Sequence, residues 1–180
     1  DVFMRPMQAG WGYFQEHGTS LPEETVEAAR ECKAVLFGAV SSPAYPVEGY
    51  FSPIVRLRRR LQAYANLRPA QYLPVPTAKE GVDLLVVREN TEDLYIGHEH
   101  TENDGQTGIA EKVITREATE RVSRLAYELA RRVGRKKVTI VHKANVLSQS
   151  DGLFRRVALE IAAHYPEITT DELYVDTAAY

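Results

Sequence analysis

The sequence is poor in the residues that build covalent or metal frameworks. It holds one cysteine, Cys32, in 180 residues, so no intramolecular disulfide and no paired-cysteine metal site can form. Cys32 sits in a helical pattern and reads as a buried structural thiol rather than a nucleophile. No apolar run approaches the ~20 residues that cross a bilayer, and no signal-peptide pattern opens the sequence. Neither sign of charge dominates: Lys and Arg number 22 against 25 Asp and Glu, a formal net charge of −3. That balance argues against a nucleic-acid partner at domain scale. There is no P-loop, no G-x-G-x-x-G, no H-E-x-x-H and no G-x-S-x-G. With 44% hydrophobic and 26% charged residues the composition is that of a soluble globular protein. These features place it in a reducing cytoplasm, or an organelle matrix if the source is eukaryotic, with no membrane or nucleic-acid partner.

What is present is an α/β pattern, in which short β-branched runs alternate with amphipathic stretches. Val2-Phe3-Met4 reads as the middle of a strand. Ser20-Leu21-Pro22-Glu23-Glu24 predicts a helix start with a serine cap, running to about Cys32. Ala34–Val40 predicts a strand buried on both faces. A Pro- and Gly-rich loop over 41–53 leads to a helix over Ile54–Ala63. Pro69, Pro74 and Pro76 mark a domain crossing. Asp83–Arg88 predicts a second buried strand, and Asn103-Asp104-Gly105 within 97–114 a hairpin or arm. Thr115 caps a long helix with Ala118, Val122, Leu125, Leu129 and Val133 inward and Gly134 as its stop. A strand over 138–141, a helix over about 152–164 and a strand at Leu173-Tyr174-Val175 complete the pattern. Both ends read as interrupted elements, so a segment of a longer protein is expected.

The run Arg56-Leu57-Arg58-Arg59-Arg60 reads first as the solvated face of a helix. Arginine recurs, however, at Arg68 and Arg88. Guanidinium groups from separate segments suit a small molecule with several carboxylates, since each planar fork takes one bidentately. Arg88, Lys143 and Asp176 each follow a strand, where ligands gather in open α/β sheets. His142 reads as a packed or hydrogen-bonded residue rather than a ligand. Tyr95 suits either packing or proton donation.

Six stretches carry a family resemblance: LFGAVSSP (36–43), SPIVRLRRRLQAYANLRPA (52–70), VDLLVVRENTEDLYIG (82–97), VTIVHKANVL (138–147), DGLF (151–154) and YVDTAAY (174–180). In order and spacing they resemble the β-decarboxylating dehydrogenases acting on isocitrate, 3-isopropylmalate and homoisocitrate. The resemblance implies that family's two-domain α/β fold, incomplete at both ends. Residues 1–69 would belong to the large cofactor domain. Residues 70–180 would form most of the small dimerisation and substrate domain, with an arm at about 97–114. It implies oxidation of a 2-hydroxy acid by NAD or NADP with loss of the β-carboxylate as CO₂, assisted by Mg²⁺ or Mn²⁺. Arg58, Arg68 and Arg88 would hold the carboxylates of a tricarboxylate-type substrate. Lys143 would take the hydroxyl proton and Tyr95 protonate the enol. Asn145 would meet the nicotinamide side of the cofactor and Asp176 the metal. Lysine and aspartate would reach in from a neighbouring subunit, which makes the protein a homodimer or larger.

The resemblance also bears on substrate. Ser42, Ile54 and Val55, in SSP and SPIV, look most like the homoisocitrate dehydrogenases of lysine biosynthesis. Ser42 would bond the distal group and Val55 leave room for a longer chain. 3-Isopropylmalate and isocitrate dehydrogenases remain the alternatives within enzymes, and a truncated, non-catalytic binding subunit the alternative outside them. The family's G-D-G-I-G turn, its remaining metal aspartates and its adenine loop are absent, so the 180 residues alone are expected to be inactive. Asp93 stands where many members carry glycine.

Overall fold

A computed structural model describes residues 2–180. The chain divides into two compact units, Asp1–Ala63 and Tyr64–Tyr180. The change falls before the prolines because Ala65–Gln71 forms a strand, β1, paired antiparallel with β2, Asp83–Glu89. Pro69 therefore lies inside β1 opposite Leu85, where an edge position tolerates the missing N–H. The crossing expected at 69/70 lies inside the second unit.

The first unit carries three helices: α1 (Trp11–His17), α2 (Glu23–Glu31) and α3 (Pro53–Arg60). Leu21, Val26 and Leu57 form its core, with Phe37, Phe51 and Leu61 packed around them. Ser20 does not cap α2. Pro22 holds the cap position, and the buried Ser20 hydroxyl donates to the Phe51 carbonyl at 2.6 Å. Cys32 is exposed rather than buried, because it follows the last turn of α2, whose buried residues are Thr25, Val26 and Ala28. Neither 2–4 nor Ala34–Val40 forms a strand. The apolar run at 34–40 has no ladder partner among the described residues, and Leu36 is exposed.

The second unit holds the rest. Among the described residues β2 pairs only with β1, so the expected two-sided burial fails: Leu84 is 47% and Val86 49% exposed. A 3-10 turn, Leu94–Ile96, leads to the expected hairpin of β3 (Glu99–Glu102) and β4 (Thr107–Ala110). Its tip runs Asn103, Asp104, Gly105 at φ 53°, 50° and 82°, the left-handed conformation that Asn, Asp and Gly tolerate best. The long helix α4 (Arg116–Arg132) is capped by Thr115, whose hydroxyl accepts from Ala118 N–H at 3.2 Å.

A parallel pair, β5 (Lys137–His142) and β6 (Thr169–Tyr174), is joined through α5 (Ser150–Ala162), and α6 (Val175–Ala179) follows. This βαβ unit is the α/β element the pattern predicts. The core lies between α4, α5 and β5, where Tyr127, Ala130, Ile161, Tyr165 and Ile168 cluster against Val138. The rings of Tyr127 and Tyr165 stack at 5.1 Å, and the Tyr127 hydroxyl meets Thr170 Oγ1 at 2.7 Å. The buried stripe of α4 is Ala118, Thr119, Val122, Ser123, Tyr127 and Ala130, rotated from the expected Leu125–Leu129 line. Val133, beyond the last turn, is exposed. Among the described residues no helix is long and apolar enough to cross a membrane.

Candidate active site

In the first unit, α3 sorts its arginines by partner. Arg60 pairs with Glu23, and Arg56 lies over the Phe51 ring at 4.0 Å. The Arg58 guanidinium makes no ion pair among the described residues. Val55 precedes it by three positions, on the same helical face, and is partly exposed. Ser42 Oγ lies 3.1 Å from the Tyr50 hydroxyl. Tyr50 is in turn fixed by edge contacts to Trp11 and Phe14.

In the second unit the strand register brings two arginines together. Asn66 lies opposite Arg88 and Arg68 opposite Val86. Residues directly opposite share a face, as do alternate residues of one strand. Arg68 and Arg88 are therefore diagonal neighbours on one face, although twenty positions separate them. Arg68 Nε donates to Asn66 Oδ1 at 3.2 Å. The Arg88 guanidinium lies 4.6 Å from the Tyr95 ring centroid. A hydrogen bond from Arg88 and its charge, with the Arg68 charge adding, hold the Tyr95 phenol below its ordinary range. Tyr95 is 54% exposed. Two cations and a phenol with weakened hold on its proton can bind carboxylates and deliver a proton beside them.

The turn between Arg88 and Tyr95 is built by Glu89. Its carboxylate accepts from Thr91 N–H (2.5 Å), the Thr91 hydroxyl (2.8 Å), Glu92 N–H (2.8 Å) and Arg121 Nη2 (2.8 Å). Burial pushes its pKa up, but the bonds from Thr91, Glu92 and Arg121 outweigh this and hold it low. Asp93, the departure from the family's glycine, takes φ 68° and ψ −142°. That backbone region favours glycine and costs ~1–3 kcal/mol for other residues. The Asp93 side chain offsets part of the cost by accepting from Leu94 N–H at 2.8 Å.

A second group forms at the end of β5. Lys143 Nζ donates to Asp176 Oδ1 at 2.7 Å, and this bond, with backbone N–H donors behind it, holds the Asp176 carboxyl low. The turn carrying Lys143 is tied from two sides. Its N–H donates to Asp151 Oδ2 at 2.6 Å, and Ala144 N–H donates to His142 Nδ1 at 3.1 Å. With Nδ1 accepting, the His142 proton sits on Nε2, 3.2 Å from Glu172. His142 is thus a buried, hydrogen-bonded residue that shapes the turn. Asn145 stands exposed two residues beyond Lys143. Asp176 lies in the first turn of α6.

Asp151, His142 and Glu89 hold the site residues in place, and reading by residue type passed over the first and last. The signal for Asp151 was an acid opening a predicted helix, eight positions after Lys143. Among the described residues no three His, Cys, Asp or Glu side chains are placed to hold a metal. Asp176 is a single carboxylate, and a hard divalent cation takes about six oxygen ligands, so the described residues do not by themselves make a metal centre.

Residues 2–180 match the isocitrate/isopropylmalate dehydrogenase family. The chain is 47% identical over 172 residues to an isocitrate/homoisocitrate dehydrogenase of Thermus thermophilus, covering 96% of this chain and 51% of that protein. It is 49% identical over 171 residues to a 3-isopropylmalate dehydrogenase of Archaeoglobus fulgidus, covering 94% and 50%. The crystal structure of isocitrate dehydrogenase from Methylococcus capsulatus superimposes with a TM-score of 0.87 at 40% identity, covering 96% of this chain and 52% of that one. The chain spans about half the length of these relatives. The family match over residues 2–180 and the identity to these relatives show that the chain belongs to the isocitrate/isopropylmalate dehydrogenase family.

Proposed function

We propose that the protein catalyses oxidative decarboxylation of a 2-hydroxy-3-carboxy acid, homoisocitrate to 2-oxoadipate, as a step of lysine biosynthesis. The observation that carries this reading is the register of β1 and β2, which sets Arg68 and Arg88 on one face with Tyr95 against Arg88. Arg68 and Arg88 each take a carboxylate bidentately. The resemblance of residues 52–70 to the family's motif supports Arg58 as a further carboxylate-binding residue. Lys143 accepts the proton of the 2-hydroxyl as hydride leaves the same carbon. The β-carboxylate then departs as CO₂, leaving its electron pair in an enolate. Tyr95 donates a proton to the carbon that lost CO₂.

Nicotinamide, when bound, supplies the hydride acceptor, and Asn145 offers it an exposed amide beside Lys143. Asp176 would contribute one carboxylate to a Mg²⁺ or Mn²⁺ ion, which when bound would supply Lewis-acid assistance. The first unit then belongs to the cofactor domain, the second to the substrate and dimerisation domain, and the β3–β4 hairpin to the contact between two copies. Ser42 and Val55 support the longer acid, because a small polar group and a modest apolar one precede Arg58.

The test assays the full-length protein with Mg²⁺ or Mn²⁺ and either nicotinamide nucleotide against homoisocitrate, isocitrate and 3-isopropylmalate. The expected result is CO₂ and reduced nucleotide in equal amounts, with homoisocitrate preferred. A preference of ~100-fold for 3-isopropylmalate would overturn the roles of Ser42 and Val55, since one apolar difference discriminates by about that much. Binding without turnover of any of the three would favour a non-catalytic subunit.

A further inference from the structure

Asp151 opens α5 and is only 7% exposed. Its two oxygens go to different elements. Oδ2 accepts the Lys143 N–H at 2.6 Å. Oδ1 meets Lys112 Nζ at 2.6 Å. Lys112 lies two residues beyond the end of β4 and 3.5 Å from Asp93 Oδ2. Asp93 and Val113 bridge at the same place, with Asp93 N–H donating to the Val113 carbonyl at 2.9 Å. A buried carboxylate persists only where its charge is paired and its lone pairs filled, and here the two partners are the hairpin base and the Lys143 turn.

We propose that Asp151 is a positioning residue: it sets the backbone of Lys143 and couples that placement, through Lys112, to the base of the β3–β4 hairpin. This rests on the reading of Lys143 as the proton acceptor. The competing role is plain stabilisation of α5, whose first turn favours an acid in any case. The two differ in what they disturb. Loss of helix stability lowers the amount of folded protein and its Tm. Loss of position lowers turnover of bound substrate, because a displacement of ~1 Å can cost ~100-fold in rate.

The experiment compares D151A, D151N and K112M in the full-length protein. D151A removes both bonds and is expected to lower kcat ~10- to 100-fold with KM within about two-fold. D151N keeps an oxygen for the Lys143 N–H and loses only the ion pair, so its kcat should stand ~3- to 5-fold below wild type and match that of K112M. Hydrogen exchange at the Lys143 amide should quicken in D151A and stay slow in D151N. Equal losses in D151N and D151A, or a D151A kcat within about two-fold of wild type, would overturn the proposal. K112M with wild-type kcat would overturn the hairpin link, and it decides that point even if D151A fails to fold. Failure of the underlying function looks different: wild type turns over none of the three acids, while amide protection at Lys143 still depends on Asp151.

Discussion

The Lys143 turn and the Arg68–Arg88 ribbon belong to the same unit and are held by opposite means. The turn is fixed from within, by Asp151 at 7% and His142 at 6% exposure, each accepting a backbone N–H. The ribbon is a two-stranded edge whose arginines are held by Asn66 and Tyr95 at the surface. On the proposed roles, Lys143 would accept its proton at a heavy-atom approach of about 3 Å, which a rigidly held turn suits. A guanidinium draws in a carboxylate by charge over a longer range, so its strand needs less support. The two constructions should therefore fail differently when perturbed.

The largest expected effect is on the turn. K143M should lower kcat ~10²- to 10⁴-fold with little change in KM, the range for losing a positioned proton acceptor; steady-state kinetics of the full-length protein check it. A parallel rise in KM would make Lys143 a binding residue and erase the contrast. R88M should act the other way, raising KM ~10- to 100-fold for the loss of a charge-assisted bidentate contact. Raising ionic strength should mimic it in part, because screening reaches exposed charges first.

A third effect tests what holds the turn between Arg88 and Tyr95. The Glu89 carboxyl is held below its ordinary range by its four donors despite burial. A lowered folded-state pKa contributes stability above the unfolded value of about 4.3 and loses it as pH falls through the folded value. Unfolding of the protein should therefore become easier on acidification below about pH 5. E89Q should remove ~1–3 kcal/mol at neutral pH and flatten that acid limb, as followed by denaturant unfolding across pH. The smallest effect belongs to Val55. V55L should shift the homoisocitrate to 3-isopropylmalate preference by ~10-fold, the scale of a methylene in an apolar pocket.

The sequence made α4 and the hairpin legible because their signals are local. Thr115 caps α4, and Asn103-Asp104-Gly105 turns the arm, by chemistry within a few residues. The family was legible because YANLRP, RENTE and HKAN are specific in combination. The apolar run 34–40 forms no strand because no partner covers it among the described residues, and strand preference depends on such neighbours. The 84–86 burial failed for the same reason: an apolar run says nothing of which neighbour covers it. Asp151 escaped notice because its role lies in reaching Lys143 and Lys112 at once, and neither contact leaves a periodic trace.

If the Arg88–Tyr95 group of one copy works with the Lys143–Asp176 group of another, the two constructions belong to one composite site. Co-expression of K143M with Y95F in the full-length protein tests this directly. Each parent alone should be inactive. The mixture should regain about a quarter of wild-type turnover, since half the dimers are mixed and each of those holds one intact site. A mixture no more active than its parents would contradict the account and place both groups in a site within a single copy.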